Sequence, residues 1–204
     1  CSSDLYRGEV RDYNQGFTLI TPDGEEKSVD LPYSEKGEAY TTYILVKNLD
    51  ETDAGRTISF YVNNAFVNIY VGEEMIYSFG YSDFRLFGES PGSIQVFANI
   101  PKIVSRNAKL RIEIMSPYSD TTAKFGGIII GERDQCILHF VRSKAVDICL
   151  GLLTAACIFA LIAVYMSTVR LKKKTNFILF YSVFALLVNL WLMLETNISV
   201  VFTA

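Results

Sequence analysis

The hydrophobic and polar positions of this chain follow a strand-like pattern up to about Gly131. Short apolar stretches are separated by turns, and no helical period extends beyond two turns. Residues 111–114 alternate polar and apolar, as in a sheet with one solvated face. Pro22-Asp23-Gly24 is a turn signal, because Pro presets φ and Gly accepts a positive φ. We predict about eight or nine strands, including Phe17–Thr21, Lys27–Leu31, Thr41–Lys47, Arg56–Val62, Val67–Val71, Met75–Phe79, Ser93–Ala98, Lys109–Met115 and Phe125–Ile130.

This number of short strands favours a mainly β fold with two packed antiparallel sheets. We therefore predict a β-sandwich or jelly roll over residues 1–133. Within its last strand, Gly126-Gly127 is expected to mark a bulge or a close packing contact. Residues 134–147 form a connector with two alternatives: it completes the sheet, or it begins a helix that leads into the next segment.

Two long apolar stretches follow the connector. Residues 148–169 contain no charge over 22 positions, and residues 177–194 contain none over 18. As helices they would be about 33 and 27 Å long, which is enough to cross the hydrocarbon core of a bilayer. We predict two transmembrane helices rather than a pair of buried helices, because charge-free stretches of this length are rare in soluble cores.

The segment between the two stretches, residues 170–176, predicts their orientation. It carries Arg170, Lys172, Lys173 and Lys174, and a short basic loop is expected to stay in the cytoplasm. The sandwich would then lie outside the membrane, and residues 195–204 would begin an outer loop of a truncated chain.

Charge and the first residues agree with export of the sandwich. Residues 1–140 carry 13 basic and 20 acidic side chains, and this acidic balance argues against binding of nucleic acid. The opening Cys-Ser-Ser-Asp is how a bacterial lipoprotein begins after removal of its signal peptide, so Cys1 is a candidate lipidation site. The alternative is that the sequence starts at a cut point.

Signals of catalysis are almost absent. His139 is the only histidine, and no phosphate-binding loop, HExxH or GxSxG motif is present. We expect no enzyme activity in this chain, no cofactor and no metal site. The oxygen-rich loop 48–53 leaves a structural Ca²⁺ site open as an alternative to an ordinary polar loop.

The aromatic segment 77–87 is the candidate ligand site. Aromatic faces beside a few hydrogen-bonding groups suit a sugar-like or small organic ligand. The alternative is that the aromatic rings cap one end of the sandwich. The residues predicted to bind a ligand are Tyr77, Tyr81, Asp83 and Arg85.

Residues 56–80 (RTISFYVNNAFVNIYVGEEMIYSFG), Pro91-Gly92, Ile100-Pro101 and the late GGIIIG stretch resemble galactose-binding-like jelly rolls. The order of jelly roll, apolar span, basic loop and second span is similar to the amino-terminal part of bacterial seven-transmembrane receptors with diverse intracellular signalling modules. These receptors often end in a GGDEF diguanylate cyclase or a histidine kinase. The chain departs from them in having two spans and no output motif.

The resemblance implies the sensory part of a bacterial transmembrane receptor in the plasma membrane. Its outer sandwich would bind an extracellular small molecule or glycan, and its helices would signal to a cytoplasmic module. Membrane lipid and a second copy of the chain, in a homodimer, are the other candidate partners. The alternative is a membrane-anchored envelope-binding or scaffolding protein without signalling.

Overall fold

The computed structural model of the chain describes residues 10–81, 89–103, 107–120, 123–170 and 176–195. The chain divides into two compact units, Cys1–Leu138 and His139–Ala204. In chain order the strands are β1 (Arg11–Asp12), β2 (Phe17–Ile20), β3 (Glu26–Val29), β4 (Tyr33–Glu35), β5 (Thr42–Asn48), β6 (Thr57–Val62), β7 (Phe66–Val71), β8 (Glu74–Phe79), β9 (Ile94–Asn99), β10 (Lys109–Met115), β11 (Ala123–Phe125) and β12 (Ile129–Gly131). The helices are α1 (Arg133–Ser143), α2 (Ala145–Arg170) and α3 (Asn176–Glu195).

The first unit is a β-sandwich built from antiparallel strand pairs. Its larger sheet has the order β3-β2-β5-β10-β7-β8, and its smaller sheet has the order β1-β12-β6-β9. A two-stranded sheet, β11-β4, accompanies them. The mainly β part of the predicted fold is therefore confirmed at the level of a sandwich, while the assignment to galactose-binding-like jelly rolls stays a prediction.

Alternation along the strands explains why the two sheets face each other. In β10 every second residue is buried, beginning with Leu110, which is wholly inaccessible to solvent. The inward residues of both sheets join in one hydrophobic cluster, in which the larger sheet contributes residues such as Leu45 and the smaller sheet residues such as Ile58. Burial of these aliphatic and aromatic side chains holds the sandwich together, at roughly 25 cal/mol per Å² of apolar surface.

Strand prediction failed mainly where strands are very short. The short strands β1 and β4 were missed, because two or three residues show no period that a sequence pattern can reveal. The predicted strand 125–130 is interrupted between β11 and β12. Gly126 and Gly127 lie in this interruption, where an added Cβ on Gly126 would be 3.4 Å from the carbonyl oxygen of Tyr61. The close contact predicted for the glycine pair is present, but outside a strand.

The connector forms a helix, which is the second of its two alternatives. Helix α1 begins two residues after β12, and the thiol of Cys136 donates to the carbonyl oxygen of Thr57 at a sulfur–oxygen distance of 3.5 Å. Cys136 is buried, and burial raises the pKa of its thiol to about 11. The start of α1 is thus packed onto the sandwich.

The second unit contains the apolar helices. Residues Ala145–Val169 of α2 have a mean hydropathy of 2.5 and are long enough to cross a membrane. The described apolar part of α3, Phe177–Leu192, is shorter. One helix is therefore long and apolar enough to span a membrane, and the prediction of two spanning helices is not confirmed. The two helices contact each other through Asn189, whose amide nitrogen donates to Thr154 Oγ1 and, at 3.1 Å, to the carbonyl oxygen of Gly151.

Candidate functional site

A polar cavity of about 590 Å³ opens at one edge of the sandwich. We call it the β1–β5 pocket, because β1 with the loop after it forms one wall and the end of β5 with the loop after it forms another. Residues at the end of β3 close a third side. Its lining residues are Arg11, Asp12, Tyr13, Asn14, Gln15, Asp30, Leu31, Lys47 and Asp50.

The wall at β1 is held in place by hydrogen bonds to β12 and to the neighbouring loops. Arg11 and Asp12 pair with Ile130 and Ile129 of β12. Asn14 continues this attachment, because its side-chain oxygen accepts from the backbone N–H of Ile128 at 2.7 Å. A two-residue strand thereby gains a fixed position that its own ladder bonds could not give it.

Under the pocket lies a buried carboxylate, Asp53, whose side chain is fully inaccessible to solvent. It accepts hydrogen bonds from the guanidinium of Arg11, from the hydroxyl of Tyr13 at 2.7 Å and from the backbone N–H of Asp50 at 3.1 Å. Burial of a carboxylate is tolerated only when its oxygens are paired in this way. The Asp53 carboxylate therefore joins the two walls of the β1–β5 pocket.

Tyr13 from the β1 wall and Lys47 from the β5 wall contact each other. The ammonium of Lys47 lies 3.5 Å from the centroid of the Tyr13 ring and donates to the carbonyl oxygen of Gln15 at 2.7 Å. Burial lowers the pKa of Lys47, and the carboxylates of Asp53 and Asp50 oppose this shift. Burial, and then the hydrogen bond to Asp53, raises the pKa of Tyr13. The face of the Tyr13 ring that Lys47 covers is consequently closed to an aromatic or sugar ring.

The pocket is lined mainly by charged and hydrogen-bonding groups. Arg11 and Lys47 are donors, while Asp12, Asp30 and Asp50 present exposed carboxylates. Within the described residues, no group of three or more acidic, cysteine or histidine side chains could hold a metal ion. The Ca²⁺ alternative for loop 48–53 loses its most buried oxygen ligand, because Asp53 faces Arg11 and Tyr13.

Tyr77 and Tyr81, the described residues among those predicted to bind a ligand, do not line the β1–β5 pocket. Tyr77, in β8, packs against the hydrophobic core and pairs with Ile69, and burial raises its pKa. Tyr81 is 46% exposed, and its ring lies 5.2 Å from that of Phe66 in a tilted arrangement. Asp83 and Arg85 lie outside the described residues. Among the described residues of segment 77–87, the packing of Tyr77 agrees with the alternative that aromatic rings cap the sandwich.

Other predicted residues also fall outside the described part of the chain. Cys1 precedes it, and Lys172, Lys173 and Lys174 lie between α2 and α3. Arg170 is the last residue of α2. The predictions of lipidation and of a cytoplasmic loop therefore stay predictions.

The residues of the β1–β5 pocket were missed by sequence reasoning. They come from three separate segments, and Arg11 is 42 positions from its partner Asp53. The one available signal was the density of acidic residues in loop 48–53, which was interpreted as a cation site. Nothing in the local sequence indicates that Asp53 turns inward.

Comparison with known proteins gives little further information. No protein-family model matches the chain, and no curated protein matches it. A protein assigned as a β-galactosidase from Bacteroides fragilis matches 61% of this chain and 23% of its own, with a TM-score of 0.37 and 12% identity. A β-glucosidase from Kluyveromyces marxianus in complex with glucose matches 64% and 19%, with a TM-score of 0.36 and 16% identity. The chain thus spans less than a quarter of either protein, and these scores carry no argument about function.

Proposed function

We propose that this chain is the sensory amino-terminal part of a bacterial transmembrane signalling receptor. Its outer β-sandwich binds an extracellular ligand, and its helices pass the change to a cytoplasmic output such as a diguanylate cyclase or a histidine kinase. The observation that carries the proposal is a sandwich with a polar pocket that leads, through one short helix, into a 25-residue apolar helix.

The surface of α2 supports a membrane location for this helix. Large hydrophobic side chains are exposed along its length, among them Val146 at 80% and Phe159 at 67%. Only 11% of its most apolar window is buried. In water such a surface would be costly, at roughly 25 cal/mol per Å², whereas lipid chains cover it without this cost. This exposed apolar surface supports membrane lipid as the partner of the helix.

The proposal includes α3 as a second span, with the basic segment 170–176 on the cytoplasmic side. The hydrogen bonds from Asn189 to α2 support this arrangement, since polar side chains in membranes usually face another helix. They satisfy both N–H groups of the amide in a place where water is absent. The protein would then be a multi-pass protein of the plasma membrane with its sandwich outside.

The chain connects the partner strand of the pocket wall to the helices through short segments. Arg11 and Asp12 in the pocket wall are paired with β12, which ends at Gly131, and α1 begins at Arg133. Only Lys144 separates α1 from α2, and its N–H donates to the carbonyl oxygen of Phe140 at 3.1 Å. A ligand that shifts β1 can change the arrangement of the helices only if the sandwich and helices have two arrangements and the ligand binds one of them more tightly.

Two experiments test the proposal. Alkaline phosphatase, which folds outside the membrane, and a cytoplasmic fluorescent reporter are each fused within segment 170–176 and after Ala204. We expect fluorescence from the first position and phosphatase activity from the second, and the reverse pattern overturns the topology. Replacing Arg170, Lys172, Lys173 and Lys174 with Gln should weaken this orientation, because the positive charges hold the loop inside.

The second experiment separates signalling from anchoring. In the protein as encoded by its gene, helices α2 and α3 are replaced by an unrelated apolar hairpin of equal length. A sensor should lose its response to ligand while the sandwich still binds, because the signal depends on specific helix contacts. A response that survives the exchange would contradict the proposal and support the anchored envelope-binding protein instead.

A further inference from the structure

The β1–β5 pocket carries a positive and a negative group on each of its two main walls. Arg11 and Asp12 belong to the wall at β1, and Lys47 and Asp50 to the wall at β5. Asp30 adds a carboxylate from the end of β3. The pocket thus presents both signs of charge within one cavity of about 590 Å³.

Several classes of ligand do not fit this lining. A lipid chain would need apolar walls, and among the described residues Leu31, which is buried, is the only aliphatic side chain that lines the pocket. A stacked aromatic or sugar ring would need a free ring face. Tyr13 has the one aromatic ring that lines the pocket in the described part of the chain, and the ammonium of Lys47 lies 3.5 Å from its centroid. A ligand of a single charge would meet a like charge on each of the two walls, which costs free energy when water is displaced.

The cationic groups retain donors for a ligand. Arg11 engages Asp53 through Nη2, its guanidinium carries five N–H donors, and its side chain is 45% exposed. Lys47 uses a donor on the carbonyl oxygen of Gln15, and an ammonium has three. Arg11 and Lys47 could together bind one carboxylate, while the exposed carboxylates of Asp50 and Asp30 accept from an ammonium group.

We infer that the β1–β5 pocket binds a zwitterionic ligand of the amino-acid or short-peptide class. Its carboxylate lies towards Arg11 and Lys47, and its ammonium lies towards Asp50 and Asp30. The volume is within the range of small-molecule pockets and exceeds what one metal ion or one ammonium ion would fill. This inference rests on the proposed function, because it names the ligand of the proposed sensor and places it away from residues 77–87.

The test is isothermal titration calorimetry, in which each probe is titrated into the full chain in lipid nanodiscs. The probes are the common amino acids, mixed di- and tripeptides, the same peptides with acetylated amino and amidated carboxyl ends, and a set of neutral sugars. We expect binding of at least one free zwitterion and a loss of roughly tenfold or more when either end is blocked, because each charged hydrogen bond contributes about that factor.

Matched variants locate the site. Asp50→Asn and Lys47→Met should each weaken binding roughly tenfold or more, since each removes one charge and keeps most of the side-chain shape. Asp120→Asn and Lys124→Met remove the same charges at exposed positions outside the pocket and should leave the affinity unchanged. Near-ultraviolet circular dichroism verifies that each variant is folded.

The outcomes separate this inference from the proposed function. Binding of a zwitterion that the two pocket variants leave unchanged overturns the site, and binding of neutral sugars alone overturns the ligand class. Absence of binding by every free zwitterion also overturns the inference. In each of these cases the receptor proposal is tested separately, by the topology fusions and by the exchange of helices α2 and α3.

Discussion

Replacing Asp53 with Ala should destabilise the sandwich strongly, because this carboxylate is buried and paired with three donors. The hydroxyl of Tyr13 would lose its partner in a site where Tyr13 is 5% exposed, and the N–H of Asp50 would lose its acceptor. An unsatisfied buried polar group costs about 1–3 kcal/mol. Arg11 adds less, since its side chain is 45% exposed and water can replace the carboxylate.

We expect a total loss of about 2–4 kcal/mol in the free energy of unfolding. For a domain of about 130 residues this corresponds to a fall in Tm of roughly 7–15 °C. The assay is urea and thermal unfolding of the chain in nanodiscs, followed by the near-ultraviolet circular dichroism of its tyrosines. Asp120→Ala, at an exposed position, is the control and should change stability by less than about 0.5 kcal/mol.

A double-mutant cycle tests the cause of the effect. Tyr13→Phe and Asp53→Asn are made singly and together, and the two residues should show an interaction energy of about 1 kcal/mol or more, because they share a hydrogen bond of 2.7 Å. Additive losses would show that the two residues act independently. If Asp53→Ala destabilised the chain no more than Asp120→Ala, the carboxylate would not join the pocket walls as described.

Three further predictions concern a thiol, a helix contact and a glycine. The pKa of Cys136 is raised from 9.0 to about 11, so between these pH values the folded state keeps a proton that the unfolded state loses. The free energy of unfolding should therefore fall between about pH 9 and pH 11. Cys136→Ala should flatten this part of the pH profile of unfolding. Asn189→Leu should weaken the contact between α2 and α3 by about 0.6–2 kcal/mol, because it removes the hydrogen bonds to α2. The loss is measured as reduced cross-linking between cysteines introduced on facing positions of the two helices. Leu190→Ala, at an exposed position, is the control and should leave the cross-linking unchanged. Gly80→Ala should destabilise the sandwich by about 1–3 kcal/mol in urea unfolding, because Gly80 has a φ of +90° and its added Cβ would lie 2.6 Å from the Pro91 side chain. Gly24 has a φ of +83° but open space around it, so Gly24→Ala should cost less free energy of unfolding. Equal losses for the two variants would contradict the role of the clash with Pro91.

The sequence by itself determined the order of the parts: many short strands, a connector, and a long apolar helix. Local patterns are sufficient here, because alternation with period two fixes the faces of β10 and an uncharged stretch of 22 residues fixes α2 as an apolar helix. The very short strands β1 and β4 were beyond such patterns, since their pairing comes from partners distant in the chain.

Only the tertiary structure decided where the candidate site lies. The acidic loop 48–53 predicted oxygen atoms facing solvent, but the fold brings Arg11 and Tyr13 to Asp53 across about 40 positions and turns its carboxylate inward. Tyr77, which the sequence predicted to bind a ligand, is partly buried and packs against the core, and its role in binding stays a prediction. Both outcomes depend on contacts between separate strands, and the energy of a buried charge is set by such contacts rather than by its neighbours in sequence.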